Sequence, residues 1–332
     1  MHHPLQVLKH YWGYDGFRPG QAEVIDSILS GHDTLALMPT GGGKSITFQV
    51  PALANSGICL VISPLVALMK DQVKNLQKRG ILSAFISSEM PHWEILQQLD
   101  NCILGDYKFL YISPERISSE LFQEKLKTLS SKVNLLVVDE AHCISQWGND
   151  FRRDYRLIAD IRDAIPHVQV IAVTASATAA VVADICEQLH FRKGYRIFKT
   201  SFERKNLSFV VRKTDNKLKE ICHILSAVPG SAVIYSRTRK GVEEYAGKLR
   251  AAGISAEYFH AGLDPVLKTE RQADWVKGFT RVLVATNAFG MGIDKGDVRV
   301  VIHTEFPDSM EAYYQEAGRA GRDGKRAYAV AL

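Results

Sequence analysis

Short apolar runs alternate along this chain with longer segments whose apolar residues recur at helical spacing. In the first half, the strand-sized runs are Thr34–Met38, Cys59–Ser63, Phe109–Ser113, Leu135–Asp139 and Val170–Thr174. Helix-like segments lie between them, at Gln21–Ser30, Pro64–Arg79 and Ala179–Leu189. Strands that alternate with helices are typical of a parallel sheet with helices on its faces. The pattern therefore predicts an α/β fold.

The second half of the chain repeats this alternation. Its strand-like runs are Ala232–Tyr235, Ala256–Phe259, Val282–Thr286, Val300–His303 and Ala327–Ala331. Its helix-like segments are near Thr238–Ala252, Val266–Gly278 and Met310–Ala317. The stretch Tyr195–Lys217 is polar, basic and weakly periodic, so we place the junction of two domains there. We expect two tandem lobes, residues 1–203 and 204–332, each a mostly parallel sheet flanked by helices.

The composition fits a folded intracellular protein. Apolar residues make up 46% of the chain and charged residues 23%, which suits packed cores and argues against disorder. No apolar run approaches the roughly 20 residues that span a bilayer, so we expect no membrane segment. The cysteines are scattered and form no CxxC pair, which argues against a disulfide framework or a zinc site. They are Cys59, Cys102, Cys143, Cys186 and Cys222.

A glycine-rich loop follows the first strand-like run and leads into a helix-like segment. Its sequence is TGGGKS, made up of Thr40, Gly41, Gly42, Gly43, Lys44 and Ser45. Glycines let the backbone curl so that its amide groups point at phosphate oxygens, and the start of a helix adds a positive dipole end. Lys44 is suited to reach the β- and γ-phosphates of a nucleotide, and the Ser45 hydroxyl to bind Mg²⁺. The usual first glycine of such loops is replaced by Met38.

Two adjacent carboxylates end the strand-like run Leu135–Asp139. The sequence there is DEAH, and it begins with Asp139 and Glu140. Carboxylates at the carboxyl end of a strand in an open α/β sheet lie beside a phosphate-binding loop. Asp139 is suited to hold Mg²⁺, and Glu140 to orient and deprotonate an attacking water. The sequence thus predicts an ATP site that also uses Mg²⁺.

From about Leu8 to Gly324 the chain resembles the superfamily 2 helicases and, within them, the RecQ family. The resemblance is carried by YWGYDGFRPGQ (Tyr11–Gln21), CISQWGNDFRRDY (Cys143–Tyr155) and QEAGRAGRDG (Gln315–Gly324), together with the loop and the DEAH sequence above. It implies two RecA-like lobes with ATP bound between them. It also implies that Gln21 binds the adenine edge, while Tyr14 and Arg18 stack on the ring.

The resemblance also implies which residues contact DNA. Two strand-end segments resemble those that touch the nucleic-acid backbone, and the residues that fit this role are Ser63, Pro64, Ser113, Pro114 and Arg116. The segment after DEAH is similar to an aromatic-rich loop that senses single-stranded DNA, in which Trp147 and Phe151 offer stacking faces. Arg152 would contact phosphate or join the ATP site. Asn149 stands where relatives usually have His.

Further likenesses concern coupling and the second lobe. The segment TASAT (Thr174–Thr178) matches one that links hydrolysis to strand movement, although its hydroxyls also suit a helix cap. The segment VATNAFGMGIDK is similar to a strand and loop that meets both DNA and nucleotide, through Gly290, Gly292 and Asp294. Arg322, with Arg319 beside it, would reach the γ-phosphate as an arginine finger.

The function that these likenesses imply is ATP-dependent movement on single-stranded DNA from 3′ to 5′, with separation of the duplex ahead. We expect an intracellular monomer. The zinc module and winged helix of longer RecQ proteins are not in this sequence, so zinc is not predicted, and a DNA-stimulated ATPase with little unwinding stays open. An RNA helicase and a non-catalytic nucleic-acid-binding module are further alternatives. The mild net charge of +5 permits a polyanionic partner without identifying it.

Overall fold

A computed structural model describes residues 3–39, 41–146, 152–175, 177–201, 203–287, 289 and 295–332. The chain divides into two compact units, Met1–Phe202 and Glu203–Leu332, so the division falls one residue before the one expected from sequence. Among the described residues, no helix has both the length and the apolar character that crossing a bilayer requires.

The first unit is a parallel sheet with helices on both faces. Its strands are β1 (Thr34–Leu37), β2 (Ile58–Ile62), β3 (Ser83–Ile86), β4 (Phe109–Ile112), β5 (Val133–Val138), β6 (Gln169–Thr174) and β7 (Arg196–Lys199). Its α-helices are α1 (Pro4–Trp12), α2 (Gln21–Leu29), α3 (Lys44–Ala54), α4 (Val66–Gln77), α5 (His92–Leu104), α6 (Glu120–Leu129), α7 (Ile158–Ala164) and α8 (Ala179–Gln188). The strand order is β3-β4-β2-β5-β6-β1-β7, and every described pairing is parallel.

Alternate side chains of the central strands enter two separate cores, one on each face of the sheet. In β2, Leu60 packs into one core and Val61 into the other, and both are fully buried. Helices α1 to α4 cover the face that carries Val61, and α5 to α8 cover the face that carries Leu60. A strand that is buried on both faces reads as a continuous apolar run, and this is why the central strands were recognisable in the sequence.

The second unit has the same layered arrangement. Its strands are β8 (Leu207–Val211), β9 (Ser231–Tyr235), β10 (Ala256–Phe259), β11 (Val282–Ala285), β12 (Val298–His303) and β13 (Ala327–Ala331). Its helices are α9 (Lys217–Ala227), α10 (Arg239–Ala251), α11 (Pro265–Lys277) and α12 (Met310–Ala317). The strand order is β10-β11-β9-β12-β13-β8, again parallel throughout the described pairings.

Three strands were not predicted, and two of them lie within Tyr195–Lys217, the stretch that also contains the division between the two units. That stretch contains β7 and β8, which are the edge strands of the first and second sheets. No residue of β7 is fully buried, and β8 buries only Leu207. An edge strand pairs on one side only and tolerates polar residues, so it lacks the apolar run that identifies a central strand. The third, β3, is also an edge strand.

A buried carboxylate ties together three segments at the end of the first sheet where β1 begins. Asp33 is 1% exposed and accepts hydrogen bonds from the guanidinium groups of Arg162 (3.1 Å) and Arg192 (2.9 Å). It also accepts bonds from the backbone nitrogens of Val170 (2.9 Å) and Arg192 (2.8 Å). Both oxygens are therefore satisfied by cationic or backbone donors, as burial of a charge requires.

We predict that Asp33→Ala lowers the free energy of unfolding by about 3–5 kcal/mol, because it leaves the buried Arg162 without its anionic partner. Urea unfolding followed by circular dichroism would measure the change. The matched control is Asp163→Ala, which removes an exposed partner of His190 (3.0 Å) and should cost under about 1 kcal/mol. Equal losses in the two variants would contradict the assignment.

Candidate nucleotide and nucleic-acid site

The loop between β1 and α3 has a backbone that favours glycine at Gly41, Gly42 and Gly43. Gly41 and Gly43 have φ angles of 79° and 77°, in the left-handed region. A Cβ atom at Gly43 would lie 2.5 Å from Nε2 of Gln21, and one at Gly42 would lie 2.9 Å from the Pro39 carbonyl oxygen. Gly43 directly precedes α3, so Lys44 and Ser45 occupy its first turn, where the helix dipole favours anions. Thr40 lies outside the described residues.

The residues that the resemblance assigns to adenine hold this loop by its carbonyl groups. The side-chain amide of Gln21 donates to the carbonyls of Gly43 (3.0 Å) and Gly42 (3.3 Å), and its oxygen accepts from the Arg18 backbone nitrogen (2.8 Å). The guanidinium of Arg18 donates to the Gly41 carbonyl (2.8 Å). Gln21 is 2% exposed, whereas Tyr14 is 52% exposed. Adenine binding by these three residues stays a prediction.

The strand β5 delivers Asp139 to the same edge of the sheet. Its carboxylate accepts from the Ser63 hydroxyl (3.3 Å), which follows the neighbouring strand β2, and from the Glu140 backbone nitrogen (3.0 Å). Burial and the adjacent charge of Glu140 raise the pKa of Asp139 to about 6, while Lys44 acts in the opposite direction. Two adjacent, partly buried carboxylates repel each other, and a divalent cation is the kind of ligand that would offset this repulsion.

Glu140 lies beside Lys44 in an uncommon backbone conformation. Its φ and ψ are 47° and 48°, a left-handed geometry that costs a non-glycine residue of order 1–3 kcal/mol. The Lys44 ammonium is 3.6 Å from one carboxylate oxygen of Glu140, and Nδ1 of His142 is 3.4 Å from the other. The structure therefore brings Lys44, Asp139 and Glu140 together, as the sequence predicted. Strain at such a position commonly accompanies function.

Three further side chains support this cluster and were not singled out from sequence for these roles. Nδ1 of His142 is hydrogen-bonded to the Thr174 hydroxyl at the end of β6 (2.8 Å). The Tyr155 hydroxyl donates to the Asp139 carbonyl oxygen (2.9 Å). His142 and Tyr155 lie inside motifs recognised in the sequence, but their partners became apparent only in the fold. Thr178, in the segment TASAT, caps α8 by accepting from the Val181 nitrogen.

Side chains predicted to contact a nucleic-acid backbone are buried or hydrogen-bonded within the protein. The hydroxyls of Ser63 and Ser113 are on residues only 1% exposed, and Pro64 and Pro114 are buried too. Arg116 donates to the carbonyls of residues 87, 88 and 90, at 2.8, 3.2 and 3.2 Å. Contact with a strand through the side chains of Ser63 or Ser113 would require rearrangement, so the backbone is the better candidate here.

The segment after DEAH is described only at its two ends. Trp147, Asn149 and Phe151 lie outside the described residues, as do Ser176, Gly290, Gly292 and Asp294. At the described end, the Arg152 backbone nitrogen donates to the Cys143 carbonyl (2.8 Å), and its guanidinium donates to the Pro64 carbonyl (3.2 Å). Arg152 thus links this segment to the strand end that follows β2.

In the second unit, Arg319 and Arg322 lie just after α12, in a turn that is held by its backbone. The Arg204 guanidinium donates to the carbonyls of Gly318 (2.7 Å) and Gly321, and the Asn206 amide donates to that of Gly321 (2.8 Å). Arg319 is 9% exposed and packs against Tyr235. Burial raises the pKa of Tyr235 to about 12, against the opposing effect of the Arg319 guanidinium.

Comparison with known proteins identifies the family. Residues 18–185 match the DEAD/DEAH box helicase family, and residues 216–324 match the helicase conserved C-terminal domain. The chain is 43% identical over 335 residues to the ATP-dependent DNA helicase RecQ of Bacillus subtilis, covering 100% of this chain and 56% of that protein. It is 40% identical over 335 residues to a putative ATP-dependent RNA helicase of Acanthamoeba polyphaga mimivirus, covering 98% of this chain and 60% of that protein.

A solved structure supports the same conclusion for the fold. The chain matches the helicase Lhr of Mycobacterium smegmatis with a TM-score of 0.77 at 19% identity, covering 99% of this chain and 48% of that one. This confirms the predicted pair of RecA-like units. The chain spans about half the length of the curated RecQ proteins it matches. It belongs to the DEAD/DEAH box helicases and, within them, to the RecQ family, whose helicase core it matches.

Proposed function

We propose that this chain hydrolyses ATP and uses the energy to move on single-stranded DNA from 3′ to 5′, separating duplex ahead of it. The observation that carries the proposal is the convergence of Lys44, Asp139 and Glu140 at one sheet edge, with the Lys44 ammonium 3.6 Å from Glu140. The family uses ATP, and the relative from Bacillus subtilis is named as a DNA helicase.

Each residue of this cluster has a distinct task in the proposed reaction. Lys44 would bind the β- and γ-phosphates, for which it must leave its present contact with Glu140. Glu140 would then accept the proton of the attacking water. Ser45 and Asp139 fit a magnesium ion, because a hydroxyl and a buried carboxylate are oxygen ligands and the ion would offset the repulsion at Asp139. Bound Mg²⁺ would neutralise phosphate charge.

The remaining predicted residues would recognise the nucleotide and couple it to the strand. Gln21, Arg18 and Tyr14 would bind adenine, and Arg319 and Arg322 of the second unit would bind the γ-phosphate. The segment after DEAH would sense bound DNA through Trp147, Phe151 and Arg152. The strand-end segments at Ser63 and Ser113 would bind the DNA backbone. Release of the γ-phosphate contacts would then change the grip on the strand in each cycle.

We predict that Lys44→Ala lowers kcat for ATP hydrolysis by about 100-fold or more, because the phosphate oxygens lose their main cationic partner. Release of inorganic phosphate at saturating single-stranded DNA would measure it. Lys125→Ala is the matched control, since Lys125 pairs with Asp100 (2.6 Å) on the opposite face of the first sheet. Full activity of Lys44→Ala would contradict the proposed phosphate site.

We predict that Trp147→Ala abolishes the stimulation of hydrolysis by single-stranded DNA and leaves nucleotide binding unchanged, because a stacking face for bases is lost. ATPase rates with no polynucleotide, with single-stranded DNA and with single-stranded RNA would be compared. Trp93→Ala is the control, because Trp93 on α5 is 66% exposed and lies in none of the recognised motifs. Equal stimulation by RNA would favour the RNA helicase alternative.

We predict that the apparent affinity for Mg²⁺ falls as the pH drops below about 6. Asp139 has a raised pKa of about 6, so it is ionised above this pH, and protons compete with the cation below it. Mg²⁺ titrations of fluorescent ATP binding between about pH 5 and 8 would show this. Asp139→Asn should bind Mg²⁺ weakly without this dependence, while Asp100→Asn should behave as wild type. An unchanged profile in Asp139→Asn would contradict the assignment.

A further inference from the structure

The peptide that joins Asp139 to Glu140 is fixed at both of its polar ends. Its carbonyl oxygen accepts a hydrogen bond from the Tyr155 hydroxyl (2.9 Å). Its nitrogen, which belongs to Glu140, donates to the Asp139 carboxylate (3.0 Å). The two bonds together define the plane of this peptide. That plane in turn sets the direction in which the Glu140 side chain leaves the backbone.

The Tyr155 hydroxyl reaches this peptide from the core of the first unit. Its side chain is fully buried, in the same core as α5 and α6. Burial raises the pKa of Tyr155 well above its ordinary value, so the hydroxyl remains a neutral donor throughout the working pH range. A buried hydroxyl without a hydrogen-bond partner is costly. The bond to the Asp139 carbonyl therefore explains how a tyrosine, and not only a phenylalanine, is accommodated at this buried position.

The backbone of Glu140 shows why the peptide needs such a restraint. With φ at 47° and ψ at 48°, Glu140 occupies a region that side-chain-bearing residues disfavour. Relaxation to an ordinary conformation requires rotation of the preceding peptide. That rotation would turn the Asp139 carbonyl away from Tyr155 and the Glu140 nitrogen away from the Asp139 carboxylate. Both hydrogen bonds therefore oppose the relaxation.

We propose that Tyr155 is a positioning residue for ATP hydrolysis: its hydroxyl fixes the Asp139–Glu140 peptide and thereby aims the Glu140 carboxylate. The inference rests on the function proposed above, in which Glu140 is the base. Tyr155 belongs to a short 3₁₀ helix, Arg153–Leu157, that begins directly after Arg152. A displacement of this helix moves the hydroxyl, so the aim of Glu140 depends on the segment that follows DEAH.

The test is Tyr155→Phe, which removes one oxygen atom and keeps the ring in the core. We expect kcat to fall about three- to tenfold, the effect of one neutral hydrogen bond lost in the aligned state. The KM for ATP and the affinity for a non-hydrolysable ATP analogue should stay within about twofold of wild type, because the described hydrogen bond of the Tyr155 hydroxyl goes to the Asp139 backbone carbonyl and not to a side chain assigned to nucleotide binding. Rates would be measured with and without single-stranded DNA.

A stability-matched control separates positioning from mere packing. Ile95→Val removes a methylene group from the same core, on α5, and lowers the unfolding temperature without touching the site. We expect this variant to keep the wild-type kcat. A loss of kcat in Tyr155→Phe that disappears well below its unfolding temperature would show a purely structural role and overturn the inference.

Glu140→Gln distinguishes this inference from the function on which it rests. The expected result is a loss of hydrolysis far larger than that of Tyr155→Phe. If Glu140→Gln is inactive while Tyr155→Phe turns over at the wild-type rate, the positioning role of Tyr155 is wrong and the proposed base stands. Hydrolysis by Glu140→Gln at the wild-type rate would remove the base assignment, and the role of Tyr155 with it.

Discussion

Two adjacent, partly buried carboxylates, Asp139 and Glu140, are the groups that the surrounding first unit has to stabilise. Burial and the adjacent charge of Glu140 disfavour the charged form of Asp139 and raise its pKa to about 6. The carboxyl edge of a parallel sheet can stabilise such a pair because loops from several strands converge there. The strand β1 leads to Lys44, β2 to Ser63 and β6 to Thr174, and these supply a cation and two hydroxyls around the pair or its neighbour His142.

The glycine-rich loop between β1 and α3 is also held by hydrogen bonds, in this case through its backbone. Its carbonyls bond to Gln21 and Arg18, which are the residues that adenine recognition would use. In the proposed function, nucleotide binding is then an exchange of hydrogen bonds, each worth about 0.5–1.5 kcal/mol net. Gln21 is nearly fully buried, so a base that failed to replace its partners would leave an amide unsatisfied. Such an exchange favours adenine by penalising bases of another shape.

The sequence was sufficient where a residue's role is decided by its neighbours along the chain. The central strands were found because burial on both faces makes a continuous apolar run. Lys44 was found because it ends a glycine-rich loop that follows such a strand, and Asp139 and Glu140 because they directly follow another. The sequence was insufficient where the role is decided by a partner distant in sequence. The contact of His142 with Thr174 joins the ends of adjacent strands, and nothing local to either residue specifies it.

In the second unit, too, partners distant in sequence decide the role of residues in a segment that has no clear pattern. The stretch that reads as a polar junction contains β8, and the residues just before it, Arg204 and Asn206, bond the carbonyls of the turn that carries Arg319 and Arg322. A guanidinium stabilises developing charge best when its position is fixed before the ligand arrives. Arg204 and Asn206 bond the backbone of this turn and so would fix the segment that carries Arg319 and Arg322 before a nucleotide binds. Side chains that bond backbone carbonyls are polar and need no helical or strand periodicity, because they do not pack against an apolar face. This is why the segment showed no pattern in the sequence.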